Sequence, residues 1–258
     1  MAEMIETERG RHGGAGAVLA ALAIGMAASP ASADAAMAAP VSAPATPPAI
    51  RPWFLCDSID QPYGYAVTGG ESGAPVHVLV IDKRQGSLAD RNYTLGRADP
   101  GAGNIWYPLS GGKAGDVLHA INKGMIDDPA TATTPLFTSV TIDGRTGSCR
   151  WMKRTLFQAF TKRRSILVRR DDDGRLVYES FNYRGGTGNI LHPDGVERTN
   201  PPSLRIIGGK GGGGDYVFAN RGYEYRISAG ASGGSLSVVR AGKVIQREPL
   251  LVSLIGRQ

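Results

Sequence analysis

From Trp53 onward the chain is a succession of short runs rich in β-branched and aromatic residues, separated by Gly, Pro, Asn and Asp. No run repeats its apolar residues at the spacing of an amphipathic helix. Short runs bounded by turn residues are typical of β-strands, and the 36 glycines suit many tight turns. The sequence therefore predicts an all-β fold, an antiparallel sandwich or barrel, built as one unit or as two packed β subdomains.

Thirteen runs read as strands, and three of the connections between them carry turn residues typical of hairpins. We expect hairpins at Asp171–Gly174, at 228–234 and at Ala241-Gly242. The segment 114–124 could form a short helix, but its Gly and Asn favour a strand followed by a loop. The predicted strands are 53–56, 63–67, 75–82, 91–95, 139–143, 155–160, 165–170, 175–183, 203–207, 215–220, 222–228, 235–240 and 250–255.

The first residues predict an export signal. Residues 14–33 are small and apolar and end in Ala31-Ser32-Ala33, the pattern of a signal-peptidase site. Their apolar core, 15–28, is shorter than the roughly 20 residues of a transmembrane helix. We predict a signal peptide over 1–33 and a periplasmic or secreted protein. An N-terminal membrane anchor and a start at Met4 or later are the alternatives.

Composition divides the rest of the chain. A Pro/Ala-rich stretch, 34–52, has no apolar core to bury and predicts an extended linker, so that the N-terminal leader is disordered. A larger β domain is expected over 53–184 and a smaller β subdomain over 203–258. The polar, Gly- and Pro-containing stretch 184–202 is the natural boundary between them.

The chain has two cysteines, Cys56 and Cys149. Two cysteines in an exported chain most simply form one disulfide. A redox pair would need a C-x-x-C spacing, and a metal pair would need a His or Cys at ligand spacing; both patterns are missing from the sequence. We therefore predict a disulfide that ties the first strand to the start of a strongly basic segment, Cys149–Arg170.

The segment Cys149–Arg170 contains eight Lys or Arg and no acidic residue. Clustered Arg favours bidentate contacts with phosphate, sulfate or carboxylate, and Trp151 could stack on a sugar ring or fix its strand in the core. The alternative is that these are ordinary solvated charges of turns and an edge strand. The predicted binding residues are Arg150, Trp151, Lys153, Arg154, Lys162, Arg163 and Arg164.

Several enzyme motifs occur in the wrong context. Residues 230–234 match G-x-S-x-G, but a strand follows them and no His lies downstream. Residues 209–214 match G-x-G-x-x-G, but a strand follows where a dinucleotide site needs a helix; they predict a flexible linker. The sequence therefore predicts no catalytic residue, no metal site and no cofactor.

Two parts of the chain resemble known groups of proteins. The stretches "CDSID", "MIDDPATATTPLFTSVTIDGRTGSCRWMKRT", "FTKRRSILV", "FANRGYEYRI" and "VIQREPL" resemble uncharacterised exported proteins of alphaproteobacteria over most of 53–250. The C-terminal part is similar to the small β-barrels of periplasmic lysozyme inhibitors, which carry a Ser-Gly-x-x-Tyr loop. The corresponding stretch here, Ser232 to Ser235, lacks the Tyr. The second resemblance implies a β-barrel and a protein partner; the first implies export and no specific activity.

The net charge of the chain limits the classes of partner that we expect. A formal net charge of +6 favours anionic ligands. We expect a non-enzymatic binding or structural module of the cell envelope, with an anionic envelope polymer or lipid, or an envelope protein, as its partner and no nucleic acid. A module that inhibits an envelope or wall-degrading enzyme is the second hypothesis, and an unrecognised hydrolase is the third. The sequence does not indicate an oligomeric state.

Overall fold

The computed structural model describes residues 52–101, 103–121, 137–150, 152, 154–183, 201–230 and 233–256. These residues form nineteen strands, paired antiparallel in three sheets, and no helix. The predicted all-β antiparallel fold is therefore confirmed, and 114–124 contains a strand as expected. In the described part of the chain, no helix has the length and apolar character needed to cross a bilayer.

The first sheet contains the nine strands before residue 150, in the order β1-β2-β3-β4-β6-β7-β8-β9, with β5 paired to β6. One face packs its apolar side chains inward around Phe54, Tyr65, Val78 and Leu118. The strands are β1 Phe54–Asp57, β2 Tyr63–Val67, β3 Pro75–Asp82, β4 Ser87–Leu95, β5 Asp99–Gly101, β6 Asn104–Ser110, β7 Val117–Ile121, β8 Phe137–Ile142 and β9 Arg145–Ser148.

The two ends of the first sheet meet, so that it closes on itself like a barrel. The Ile59 amide donates to the Ser148 carbonyl (2.9 Å), and the Arg150 amide donates to the Asp57 carbonyl (2.8 Å). The predicted disulfide between Cys56 and Cys149 is present beside this junction and spans 93 positions of sequence. In the chain-entropy model a cross-link of that span stabilises the fold by about 4–5 kcal/mol.

The three central strands of the second sheet are buried on both faces. The order of this sheet is β13-β12-β11-β10-β19. One face packs on the third sheet through residues such as Phe157 and Tyr178, and Phe160 on the other face packs on outward-pointing residues of the first sheet such as Leu79. Burial on both sides explains why every residue of β10 is buried and why β11 contains the unbroken apolar run 166–168. The strands are β10 Thr155–Phe160, β11 Arg164–Arg170, β12 Leu176–Asn182, β13 Leu204–Ile207 and β19 Val252–Ile255.

The third sheet is a simple antiparallel succession, β14-β15-β16-β17-β18. The expected flexible linker over 209–214 is wrong, because most of it forms β14, paired with β15. A side chain at Gly209 would lie 2.5 Å from the Phe218 ring, so glycine is what allows this close pairing. The strands are β14 Gly209–Gly212, β15 Asp215–Asn220, β16 Tyr223–Gly230, β17 Gly233–Arg240 and β18 Lys243–Pro249.

Several predictions fall partly or wholly outside the described residues. The signal peptide 1–33 lies outside them, as do residues 34–51 of the linker and 184–200 of the domain boundary. The division into domains 53–184 and 203–258 stays a prediction. Strands pair across its boundary, because β12 pairs with β13 and β10 pairs with β19.

Candidate functional site

The basic residues of the Cys149–Arg170 segment lie at the two ends of strand β10. Lys162, Arg163 and Arg164 follow the strand and Arg154 precedes it, and the six residues of the strand between them span about 20 Å at the rise of an extended chain. Arg154 donates to the Asp171 carbonyl (3.0 Å) and pairs with Asp172 (3.6 Å) in the acidic β11–β12 turn. Arg154 is therefore already engaged by the acidic turn at its end of the strand.

The basic turn between β10 and β11 is organised by Thr161. The Thr161 hydroxyl accepts hydrogen bonds from the backbone N–H groups of Arg163 and Arg164, both at 3.0 Å. It donates to Glu248 of β18 at 2.7 Å. A Thr hydroxyl that bonds to the backbone two and three residues on is a common way to fix a tight turn. Thr161 therefore ties the turn both to its own backbone and to β18.

A second basic turn, between β3 and β4, lies against the first. Gly86 in this turn has a φ of +66°, and a Cβ there would lie 2.9 Å from the Lys162 carbonyl oxygen. Only glycine combines the left-handed backbone with so close an approach. The same turn carries Lys83 and Arg84, which are distant in sequence from the segment that ends at Arg170.

The two turns and the end of β12 enclose a cleft of about 450 Å³. Its size falls within the usual range for small-ligand sites, about 300–1,000 Å³. Five of its lining side chains are basic, and three carboxylates, those of Asp57, Asp82 and Glu248, pair with some of them. The lining residues are Lys83, Arg84, Gln85, Lys162, Arg163, Arg164, Asn182 and Tyr183.

Lys162 and Arg163 differ from the other cations of the cleft. Both are exposed, and neither forms an ion pair with any of the described residues. Arg84 is also exposed, but its guanidinium group bonds both oxygens of Asp82 (3.1 and 2.7 Å), which holds the pKa of Asp82 below its usual value. Lys162 and Arg163 are therefore the charges most available to a ligand.

Behind the cleft, Asp57 carries a buried charge network. Its carboxylate pairs with Lys83 (2.5 Å) and Arg150 (2.9 Å) and accepts a hydrogen bond from Ser165 (2.6 Å). All three charged side chains are about nine-tenths buried. Burial alone would raise the pKa of Asp57, but Lys83 and Arg150 outweigh it and hold that pKa well below the ordinary value. Asp57 is therefore ionised near neutral pH.

Two of the predicted binding residues, Arg150 and Arg164, have largely buried guanidinium groups. Arg150 pairs with Asp57 and stacks over the Phe181 ring, 3.5 Å from its centroid. Arg164, with a side chain that is 15% exposed, pairs with Glu248 at 3.0 Å. Their placement suits a supporting role behind the cleft. Trp151 and Lys153 lie outside the described residues.

The sequence did not single out Lys83 and Arg84 as partners of the basic segment. Each follows an ordinary strand, and the "DKRQG" turn reads locally as a solvated hairpin. Gly86 is the one local indication of a contact, because a glycine in this turn permits another part of the chain to approach closely. The segment that approaches it, at Lys162, could not be identified without the fold.

Within the described ranges, no three His, Cys, Asp or Glu side chains are grouped so as to hold a metal ion. The Ser165 hydroxyl donates to the Asp57 carboxylate, and this hydrogen bond stabilises the buried negative charge of Asp57. His77 and His119 lie on β3 and β7 of the first sheet, where His77 approaches Asp90 (3.7 Å) and His119 contacts Asn104 and Thr138.

Comparisons with protein-family models, with curated proteins and with solved structures give no match for this chain. Its function must therefore be inferred from the geometry of the cleft. The disulfide between Cys56 and Cys149 is compatible with an oxidising compartment.

Proposed function

We propose that this protein is a non-enzymatic binding module of the cell envelope, periplasmic or secreted, that holds an anionic envelope polymer or lipid in the cleft between the β3–β4 and β10–β11 turns. The observation that carries the proposal is the pair Lys162 and Arg163, exposed, unpaired within the described structure and held on a turn that Thr161 fixes. The predicted export signal, 1–33, is the reason for proposing a periplasmic or secreted location.

The cleft suits a phosphate, sulfate or carboxylate group. An Arg presents a planar fork that binds such groups in a bidentate manner, and a Lys adds a flexible point charge. Arg84 lies across the cleft with its side chain 59% exposed, so a ligand can share or displace its contact with Asp82. The buried cations Lys83 and Arg164 lie deeper and are already paired with Asp57 and Glu248, so they support the cleft and do not compete for the ligand.

Co-sedimentation with isolated cell envelopes tests the proposal, at about 50 and about 300 mM salt, a range over which the attraction between surface charges is increasingly screened. The cleft variant is Lys162→Ser/Arg163→Ser. The matched control is Lys243→Ser/Arg247→Ser, which removes the same charge from two exposed positions of β18. All chains are purified without residues 1–33.

We expect binding that weakens with salt and that the cleft variant reduces by about 30-fold, since each Lys or Arg near an anionic surface contributes about 1 kcal/mol. The control should bind like the wild type. Equal losses in both variants would mean that net charge alone matters and would contradict the cleft. Binding that does not weaken as the salt concentration rises would instead favour an envelope protein as the partner.

A further inference from the structure

A row of side chains crosses the outer face of the first sheet on strands β5 to β9. Asp99, Trp106, His119, Ser139 and Ser148 are consecutive cross-strand partners on β5 to β9. Neighbouring positions on these strands point into the core, so the row faces outward. Cross-strand partners on one face lie side by side, and all five are exposed or half-buried.

Trp106 is the unusual member of this row. Its side chain is 37% exposed, and the other exposed large apolar residues of the described chain are aliphatic. Its indole stacks on the His119 ring, with centroids 5.1 Å apart and planes 19° from parallel. A side chain at Gly101 on β5 would reach the indole, with its Cβ 3.4 Å from Cζ3. Because residue 101 is a glycine, no side chain from this position covers the indole.

The ring beneath Trp106 is locked in place. The Nε2 atom of His119 lies 2.8 Å from the Asn104 side-chain oxygen, and Nδ1 lies 2.9 Å from the Thr138 hydroxyl. A neutral imidazole satisfies both contacts, donating from Nε2 and accepting at Nδ1. Partial burial lowers the pKa of His119 and so favours that neutral form. Because both ring nitrogens are engaged, the imidazole forms a fixed support for the indole.

We propose that Trp106 is a stacking platform for a pyranose ring of a neutral saccharide. The C–H face of a sugar packs on an aromatic ring, while its hydroxyls need donors and acceptors beside that ring. Asp99 and Ser139 supply these groups along the row. The row contains a carboxylate and no Lys or Arg, which disfavours an anionic ligand and distinguishes its ligand chemistry from that of the basic cleft.

Calorimetric titration of the protein with chitohexaose, cellohexaose and maltohexaose tests the platform. We expect at least one of these neutral sugars to bind, and Trp106→Ala to raise its Kd by about tenfold or more, a ratio equal to about 1.4 kcal/mol. The matched control is Leu88→Ala, because Leu88 lies on β4 of the same sheet and is 38% exposed. The control should leave the Kd unchanged.

A second readout is independent of any loss of stability in the alanine variant. The bound sugar should alter the tryptophan fluorescence of the wild type, and Trp106→Phe should remove that change while keeping a ring in place. Lys162→Ser/Arg163→Ser should bind the sugar like the wild type, which keeps this test separate from that of the cleft. Absence of binding by all three sugars, or equal affinity of Trp106→Ala and the wild type, would overturn the proposal.

Discussion

Replacing Asp57 by Asn is the perturbation for which the structure gives the clearest magnitude. The carboxylate contacts Lys83 and Arg150, whose side chains are only 10% and 9% exposed. In the variant both cations would face a neutral amide in a site that water scarcely reaches. Removing one partner from a buried ion pair costs about 3–5 kcal/mol. That loss is a large share of the roughly 5–15 kcal/mol that typically stabilises a domain.

Urea unfolding at pH 7, followed by tryptophan fluorescence, measures this loss. The matched control is Glu224→Gln, because Glu224 pairs with Arg226 at 2.5 Å but the two side chains are 45% and 53% exposed. Exposed pairs contribute about 0–1 kcal/mol, so the control should change little. If Asp57→Asn lost no more free energy of unfolding than Glu224→Gln, the stabilising role of the buried network would be refuted.

Three further predictions concern stability. The folded state lowers the pKa of Asp57, so ionised Asp57 stabilises the fold fully above the unfolded pKa of about 4, and this stabilisation is lost as the pH falls below that value. When the free energy of unfolding is measured at decreasing pH, it should therefore decline more steeply for the wild type than for Asp57→Asn. Reduction of the Cys56–Cys149 bond should lower the free energy of unfolding by about 4–5 kcal/mol, and an unchanged urea midpoint would contradict this. The buried Tyr183 hydroxyl has no hydrogen-bond partner among the described residues, so Tyr183→Phe should stabilise the protein by about 1 kcal/mol; destabilisation in urea would count against it.

Local sequence was enough to predict most of the strands. The β11–β12 hairpin has the turn chemistry of Asp171–Gly174, and the structure pairs Arg170 with Leu176 across it. The strand β6, Asn104–Ser110, was missed because glycines and a proline surround and interrupt its apolar residues. Strand β14 was missed because Gly209–Gly212 has no side-chain pattern to recognise, and its pairing depends on contact with Phe218.

The candidate cleft could be predicted only in part. The charge density of Cys149–Arg170 drew attention to Lys162 and Arg163, but local sequence cannot distinguish exposed charges from buried ones. Arg164 directly follows these two exposed residues and yet pairs with Glu248, far along the chain, because β18 and the β10–β11 turn meet in the fold. Pairing between distant residues decides which cations face solvent, and no local pattern encodes it.

Titration with a short inorganic polyphosphate is the sharpest test of anion binding in the cleft, because this probe carries anionic charge without a lipid or a sugar. We predict that the wild type binds it, that binding weakens as salt rises, and that Lys162→Ser/Arg163→Ser raises the Kd about 30-fold, at roughly 1 kcal/mol for each cation. Lys243→Ser/Arg247→Ser should bind like the wild type. A wild type that does not bind polyphosphate at low salt, or a cleft variant that binds as well as the control, would contradict the proposed role of the cleft.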